Sequence, residues 1–185
     1  MGFSVAQLVE FVAYTEAMML KNLSSVRVTK TQNGMGVFAE HPFSPGNSVM
    51  DFHGPIVHRS QLPSPYDSVT DHYVQIGPDT YLGPSGGPDD FVNHSCEPNA
   101  GLRIEGMAVT LVAIRPIASG EEITWDYSTT MSEDDWEMDC NCGAPSCRKR
   151  IRDFKYLPPK LREHYQVLGI VPEYVLEPAE MGVDA

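Results

Sequence analysis

Three of the four cysteines in this 185-residue chain stand in one short stretch, as Cys140, Cys142 and Cys147. The fourth, Cys96, lies far upstream in Asn93-His94-Ser95-Cys96-Glu97-Pro98-Asn99. Zinc takes sulfur or nitrogen ligands at four tetrahedral corners, and a site whose corners are all filled by protein is structural. Cys140 and Cys142 are too close in sequence to pair comfortably as a disulfide, but both can reach one ion. Residues 143–146 let the chain turn back to deliver Cys147, and Cys96 is the cysteine left to complete the set. The spacing therefore predicts a structural zinc site that pins the Asn93-His94 segment against the C-terminal part of the chain. The competing reading is four unrelated reduced thiols, and metal analysis separates the two.

Charge and hydropathy narrow the class. With 25 acidic and 13 basic side chains the formal net charge is −12. Nucleic-acid binders present Lys and Arg to the phosphates, so no direct nucleic-acid binding is expected. Acidity favours encounter with basic partners through long-range steering, although solubility alone also accounts for it. No apolar run approaches the length of a membrane-spanning helix. The N-terminal apolar stretch is interrupted by Glu10 and Glu16 and lacks a basic leader. Ala6 stands where a myristoylation signal needs Ser or Thr. A cytoplasmic or nuclear protein with reduced thiols is the expectation.

Residues 4–20 read as an amphipathic helix, with Ser4 and Gln7 as a capping box and Phe3 and Leu8 as a hydrophobic staple. Val5, Leu8, Val9 and Val12 recur there at helical spacing. From Val26 the texture changes to short β-type runs: Val26–Thr31, Val37–Glu40, Ser48–Phe52, His72–Ile76, Leu102–Ile104 and Met107–Ile114, with a hairpin turn at Glu105-Gly106. Such short, evenly punctuated strands predict a mainly β (α+β) domain rather than a doubly wound parallel sheet. Pro158-Pro159 opens a second helix with Leu161, Tyr165 and Leu168 on one face, ended by Gly169 and Pro172. The last residues, about 177–185, are acidic and contain Pro and Gly, and read as a loose tail. The length suits one domain.

Four ordered segments are more specific than any of them alone. They are Gly34-Met35-Gly36-Val37, then Phe91-Val92-Asn93-His94-Ser95-Cys96-Glu97-Pro98-Asn99, then Gly120-Glu121-Glu122-Ile123-Thr124-Trp125-Asp126-Tyr127, and finally Cys140-Asn141-Cys142-Gly143 with Cys147-Arg148. In this order the chain resembles the SET-domain protein lysine methyltransferases with their cysteine-rich post-SET segment, over about residues 25–151. The resemblance implies small β-sheets around a knot-like crossing, with the Asn-His segment beside the strand that ends in Asp126-Tyr127. It divides the chain into an N-terminal helical flank (1–24), a SET domain (25–131), a post-SET zinc segment (132–152) and a C-terminal helix and tail (153–185).

By the same resemblance S-adenosylmethionine lies against Gly34, Met35 and Gly36 and is gripped by Asn93 and His94. Tyr73 falls where the family places a tyrosine near the cofactor, and a plain half-buried aromatic is the alternative for it. Phe52 and Trp125 line the lysine channel. Tyr127 is the expected catalytic residue, orienting the amine, where otherwise it is a core tyrosine with a bonded hydroxyl. A lysine amine is neutral only roughly once in two thousand times at pH 7, so a narrow apolar channel has to favour the neutral form. The partner implied is a basic, lysine-containing protein, histone or histone-like. Cys96, Cys140, Cys142 and Cys147 hold structural zinc.

Three positions depart from the family pattern. Phe52-His53-Gly54 replaces Tyr-x-Gly, Asp90 stands in place of an Arg, and Lys149 follows Cys147-Arg148 where Gly is common. The missing hydroxyl at Phe52, together with Asp90, leaves a second reading, a SET-like zinc module that binds a basic peptide without modifying it. A zinc hydrolase is disfavoured because four cysteine ligands leave no open coordination position. The acidic run Glu133, Asp134, Asp135, Glu137 and Asp139 reads either as an attractor for a basic substrate or as a solvated linker.

Overall fold

Short runs of β-branched and aromatic residues, bounded by Gly, Pro or Asn, build four small sheets in this computed structural model, which describes residues 25–63 and 72–176. In chain order the strands are β1 (Val26–Thr31), β2 (Gly34–Ala39), β3 (Ser48–Phe52), β4 (Ile56–His58), β5 (Val74–Gly77) and β6 (Thr80–Leu82). After these come β7 (Asn93–His94), β8 (Ala100–Glu105), β9 (Ala108–Ala113), β10 (Glu122–Trp125), β11 (Met138–Asp139) and β12 (Arg150–Ile151). Two helices follow, α1 (Pro159–Val167) and α2 (Glu173–Leu176). The helix expected over residues 4–20 and the tail after residue 176 lie outside the described residues.

One sheet runs β1-β2-β10-β7, a second β3-β9-β8, a third β4-β6-β5, and β11 pairs with β12. Among the described residues all strand pairings are antiparallel except one: β10 runs parallel to β7, matching Thr124 with Asn93 and Trp125 with His94. That pairing sets the Asn-His segment beside the strand leading to Asp126 and Tyr127, two stretches far apart in sequence. The core lies between the sheets, where Val37, Ala100, Leu102, Leu111 and Ile123 are fully buried. A second cluster seats the C-terminal helix on the back of the β8–β9 hairpin through Val112, Phe154, Leu157, Tyr165 and Ile170. The approach is close enough to require a glycine: a Cβ on Gly101 would stand 2.7 Å from Ile170 Cδ1.

β1 and β3 fall where the sequence places them, and the second helix runs from Pro159 with Tyr165 buried and Leu161 and Leu168 packed beside it. The hairpin turn is displaced by one residue, because Glu105 pairs with Ala108 and leaves Gly106 and Met107 as the loop. Gly34-Met35-Gly36 opens β2, where Gly36, Met35 and Gly34 pair with Thr29, Lys30 and Thr31. The strand expected from His72 begins at Val74. β4, β6, β7 and β10 to β12 are too short for an alternation signal, and pairing with neighbours creates them.

Candidate active site and metal centre

Asn93 ties the parallel crossing to β2. Its amide nitrogen donates to the Met35 carbonyl at 2.9 Å and to Glu122 Oε1 at 2.8 Å. The approach depends on Gly36, where a Cβ would meet Glu122 Oε1 at 2.5 Å, Thr31 Cγ2 at 2.6 Å and Asn93 Nδ2 at 2.9 Å. Asn99 fastens the other side, donating to the Glu122 carbonyl at 2.7 Å and accepting from the Thr124 amide at 2.9 Å.

The next residue, His94, is buried, and its tautomer follows from its partners. The Tyr127 amide donates to Nδ1 at 3.2 Å, so Nδ1 carries no proton and Nε2 does. Nε2 lies 3.4 Å from Cys96 Sγ. Burial pushes the imidazole pKa down to about 4, against the upward pull of Asp126, so the ring is neutral at pH 7 and its 3.6 Å approach to Asp126 is no ion pair. With a metal bound at Cys96, a neutral ring donating to its sulfur would be the kind of support that metal ligands receive from the residues behind them.

Asp126 is the most heavily bonded group of the site. Its side chain is fully buried and takes a two-pronged bond from Arg148, at 2.7 and 2.8 Å. It also accepts from the Tyr165 hydroxyl at 3.1 Å and the Ser128 amide at 3.2 Å. Three regions therefore converge on one carboxylate: the end of β10, the cysteine segment, and α1. Arg148 reaches the cysteine cluster as well, its amide donating to Cys96 Sγ at 3.3 Å.

The four thiols come together as the spacing predicts. The sulfurs of Cys96, Cys140, Cys142 and Cys147 all lie within 4.8 Å of one another, and the Cys96–Cys140 pair stands at 3.9 Å. Tetrahedral zinc with sulfur at about 2.3 Å needs sulfurs about 3.8 Å apart. The donor set fits zinc. The turn that returns Cys147 is closed by its amide on the Ala144 carbonyl at 3.0 Å, and β11 pairs with β12 around the cluster.

On the other side of Tyr127 lies a cleft. Phe52, Tyr73, Tyr81, Leu82, Val92, Trp125, Tyr127, Met131 and Trp136 are in its wall, with Asp89, Asp90 and Glu133 among its polar members. The half-buried Tyr127 ring packs at 4.9 Å from Trp125 and 6.4 Å from Trp136, and its hydroxyl donates to the Val92 carbonyl at 3.0 Å. Asp90 accepts from the amides of Ser85 and Gly86 and so closes the turn before the Asn-His segment. Asp89 accepts from the His53 amide at 2.9 Å, fixing the residue after Phe52.

These segments match the SET domain family over residues 34–128. The chain belongs to the SET-domain family. Curated relatives include histone-lysine N-methyltransferase ash1 of Drosophila melanogaster, 32% identical over 133 residues, covering 66% of this chain and 6% of that protein. Human histone-lysine N-methyltransferase 2B is 33% identical over 132 residues, covering 63% of this chain and 5% of that protein. The chain thus spans only a small fraction of the length of the curated relatives it matches. Among solved structures, KRYPTONITE in complex with mCHH DNA, H3(1-15) peptide and SAH has the same fold, with TM-score 0.57 and 23% identity over 69% of this chain and 29% of that one.

Within this SET domain the expected residues divide into two groups. Gly34, Met35, Gly36, Asn93 and His94 lie around the β2–β10–β7 crossing, whereas Phe52, Tyr73, Trp125 and Tyr127 share the cleft. Tyr73, expected on the cofactor side, stands with the channel residues, its ring 3.2 Å from the place of a Cβ on Gly83. Three residues carry little or no mark in the sequence. Arg148 has its signal only as a neighbour of Cys147, Tyr165 reads as one more apolar helix position, and Tyr81 sits in a three-residue strand. The acidic run is largely paired within the chain: Asp134 with Lys155, Asp135 with Arg59, and Glu137 and Asp139 with Arg150. Glu133 is the member of that run that lines the cleft.

Proposed function

We propose that the chain is a protein-lysine N-methyltransferase that moves a methyl group from S-adenosylmethionine to the side-chain amine of a lysine in a basic protein, a histone or histone-like tail being the first substrate to test. The observation that carries this reading is the aromatic cleft ending at Tyr127, directly beside the Asn93–His94 crossing. In this reading residues 25–131 form the catalytic unit, 132–152 the zinc segment and 153–176 a helical brace. Gly34, Met35, Gly36, Asn93 and His94 hold the cofactor, and Tyr73 completes the wall between it and the lysine.

S-adenosylmethionine, when bound, supplies a methyl carbon made electrophilic by its positive sulfur. The rings of Trp125, Tyr127 and Trp136 fit such a group, because aromatic faces attract cations. Phe52, Leu82, Val92 and Met131 make part of the cleft wall apolar, and desolvation there favours the neutral amine that can attack, whereas Asp89, Asp90 and Glu133 in the same lining draw the lysine in as its ammonium. Tyr127 is anchored by its hydroxyl to Val92 and by its ring to Trp125, so it offers a fixed edge against which amine and methyl line up. A zinc ion held by Cys96, Cys140, Cys142 and Cys147 would be structural, with no coordination position left open, and would hold the segment that carries Arg148 to Asp126.

The test is incubation of the protein with isotope-labelled S-adenosylmethionine and a panel of basic proteins that includes histones, followed by mass-spectrometric mapping. Label on lysine side chains is expected. Measurable cofactor binding with no transfer to any lysine would refute the assignment.

A further inference from the structure

β8 lies at the edge of the β3-β9-β8 sheet and contributes nothing to the cleft wall. Gly106, at φ +62°, opens a two-residue loop to β9, so Glu105 and Ala108 form the hydrogen-bonded pair that closes the hairpin. Bonding alternates along an antiparallel ladder. Arg103 therefore also spends its backbone on β9, while Leu102 and Ile104 turn theirs to the open edge. Leu102 is fully buried and out of reach of another strand, whereas Ile104 is half-buried. A charge stands on each side of Ile104. Arg103 and Glu105 are both exposed, and neither has a charged partner among the described residues.

Charges on an edge strand commonly keep other strands away, and charges of one sign do so in every register. Arg103 and Glu105 have opposite signs, two residues apart on one face of the strand. Two antiparallel β8 strands with a twofold axis at Ile104 would bond reciprocally through the Ile104 amides and carbonyls. Each Arg103 would then stand directly opposite the Glu105 of the second copy, in a non-hydrogen-bonded pair, where facing side chains are closest. An axis at Arg103 would instead oppose two arginines and would need the buried Leu102. The Ile104 axis also brings apolar surface together. Val167, 82% exposed, lines a groove with Arg103, Glu105 and Val171. Met107, 64% exposed at the hairpin tip, would lie alongside Gly101 of the other copy, the residue against which Ile170 packs.

We propose that β8 is a self-pairing edge, through which two copies of this chain associate as a symmetric dimer held by reciprocal Arg103–Glu105 ion pairs around Ile104. The same patch serves both copies, as a twofold interface requires. The proposal does not depend on the methyltransferase reading, since no residue of β8 lines the cleft.

Analytical ultracentrifugation of the full chain from about 1 to 100 μM tests this, a range that brackets micromolar dissociation constants. Wild-type protein should pass from monomer to dimer mass across it. Arg103→Glu sets Glu opposite Glu, and Glu105→Arg sets Arg opposite Arg, so each variant alone should dimerise at least about 10-fold more weakly. An equal mixture of the two variants places opposite charges at both pairs and should recover wild-type association as a heterodimer. Both positions are exposed, and thermal melting checks that each variant is folded. Monomer mass for the wild type at every concentration overturns the proposal without recourse to the variants. A wild-type dimer that both reversals leave intact overturns it too, because the interface then lies elsewhere. So does a mixture that associates no better than the separate variants.

Discussion

Replacing Asp126 by Asn keeps the shape of the most heavily bonded side chain in the site and removes its charge. Its side chain has no exposure and that of Arg148 has 16%, so the pair is nearly dry. Removing one member of a buried, hydrogen-bonded ion pair costs about 3–5 kcal/mol, because the other is left charged and unpaired. The amide NH2 of Asn would also face a guanidinium nitrogen, donor against donor. Arg148 retains some access to water, which places the expected loss near the lower end, about 3 kcal/mol. With a urea m-value of about 1–3 kcal/mol/M, the unfolding midpoint should fall by about 1–3 M. Arg148→Met should cost a similar amount, and the double variant should recover about 2–3 kcal/mol relative to the sum of the single losses. Equilibrium urea unfolding of zinc-loaded protein measures all four corners of the cycle, with zinc content determined on each variant. If Asp126→Asn lies within about 1 kcal/mol of wild type while still binding zinc, the claim that this carboxylate joins the three regions is wrong.

Three further outcomes are expected. Tyr127→Phe should fold and bind zinc but lose about 10²–10³-fold in methyl transfer, and unchanged turnover would count against its role. Lys149 sits at φ +67°, a left-handed conformation that crowds a Cβ. Lys149→Gly should therefore relieve about 1–2 kcal/mol of strain, set against about 0.5–1 kcal/mol of extra chain entropy in the unfolded state. The net is a small gain in thermal stability that Lys149→Ala should not share. Chelation should remove one zinc per chain and lower the melting temperature, as should Cys147→Ser, and chelated protein that melts like the untreated one would show the thiols to be unrelated.

The cysteine cluster is legible in the sequence because thiol spacing is a local signal, and the four sulfurs do come together within 4.8 Å. The Asn-His and Asp-Tyr segments are legible as an ordered set, and their parallel pairing in β7 and β10 follows the resemblance. How the charges are spent is not legible there. The acidic run from Glu133 to Asp139 reads either as an attractor for a basic substrate or as a solvated linker, and Lys155, Arg59 and Arg150 answer four of its five members. Those partners lie in separate segments, and no periodicity announces an ion pair across a fold. Asp90 is similarly opaque. Its carboxylate closes a turn at Ser85-Gly86, a short-range device of the kind Asp side chains perform in many loops.

Asp126 also changes what a zinc ion at the four cysteines would be for. A metal that merely closed a loop could be traded for a better-packed loop, but here Cys147 is followed by Arg148, whose amide bonds Cys96 and whose guanidinium bonds Asp126. Fixing the cysteine segment therefore fixes a positive charge beside the residue that precedes Tyr127. The helix outside the family match acts on the same carboxylate through Tyr165, and α2 adds a parallel tie, the Tyr174 hydroxyl bonding the carbonyls of Gln75 and Thr130 at 2.7 and 2.8 Å. Those carbonyls belong to two residues of the cleft wall. Both C-terminal tyrosines thus brace the proposed lysine channel from behind without entering it. Loosening either should widen the channel before it unfolds the protein, so the substrate KM should respond more than the melting temperature.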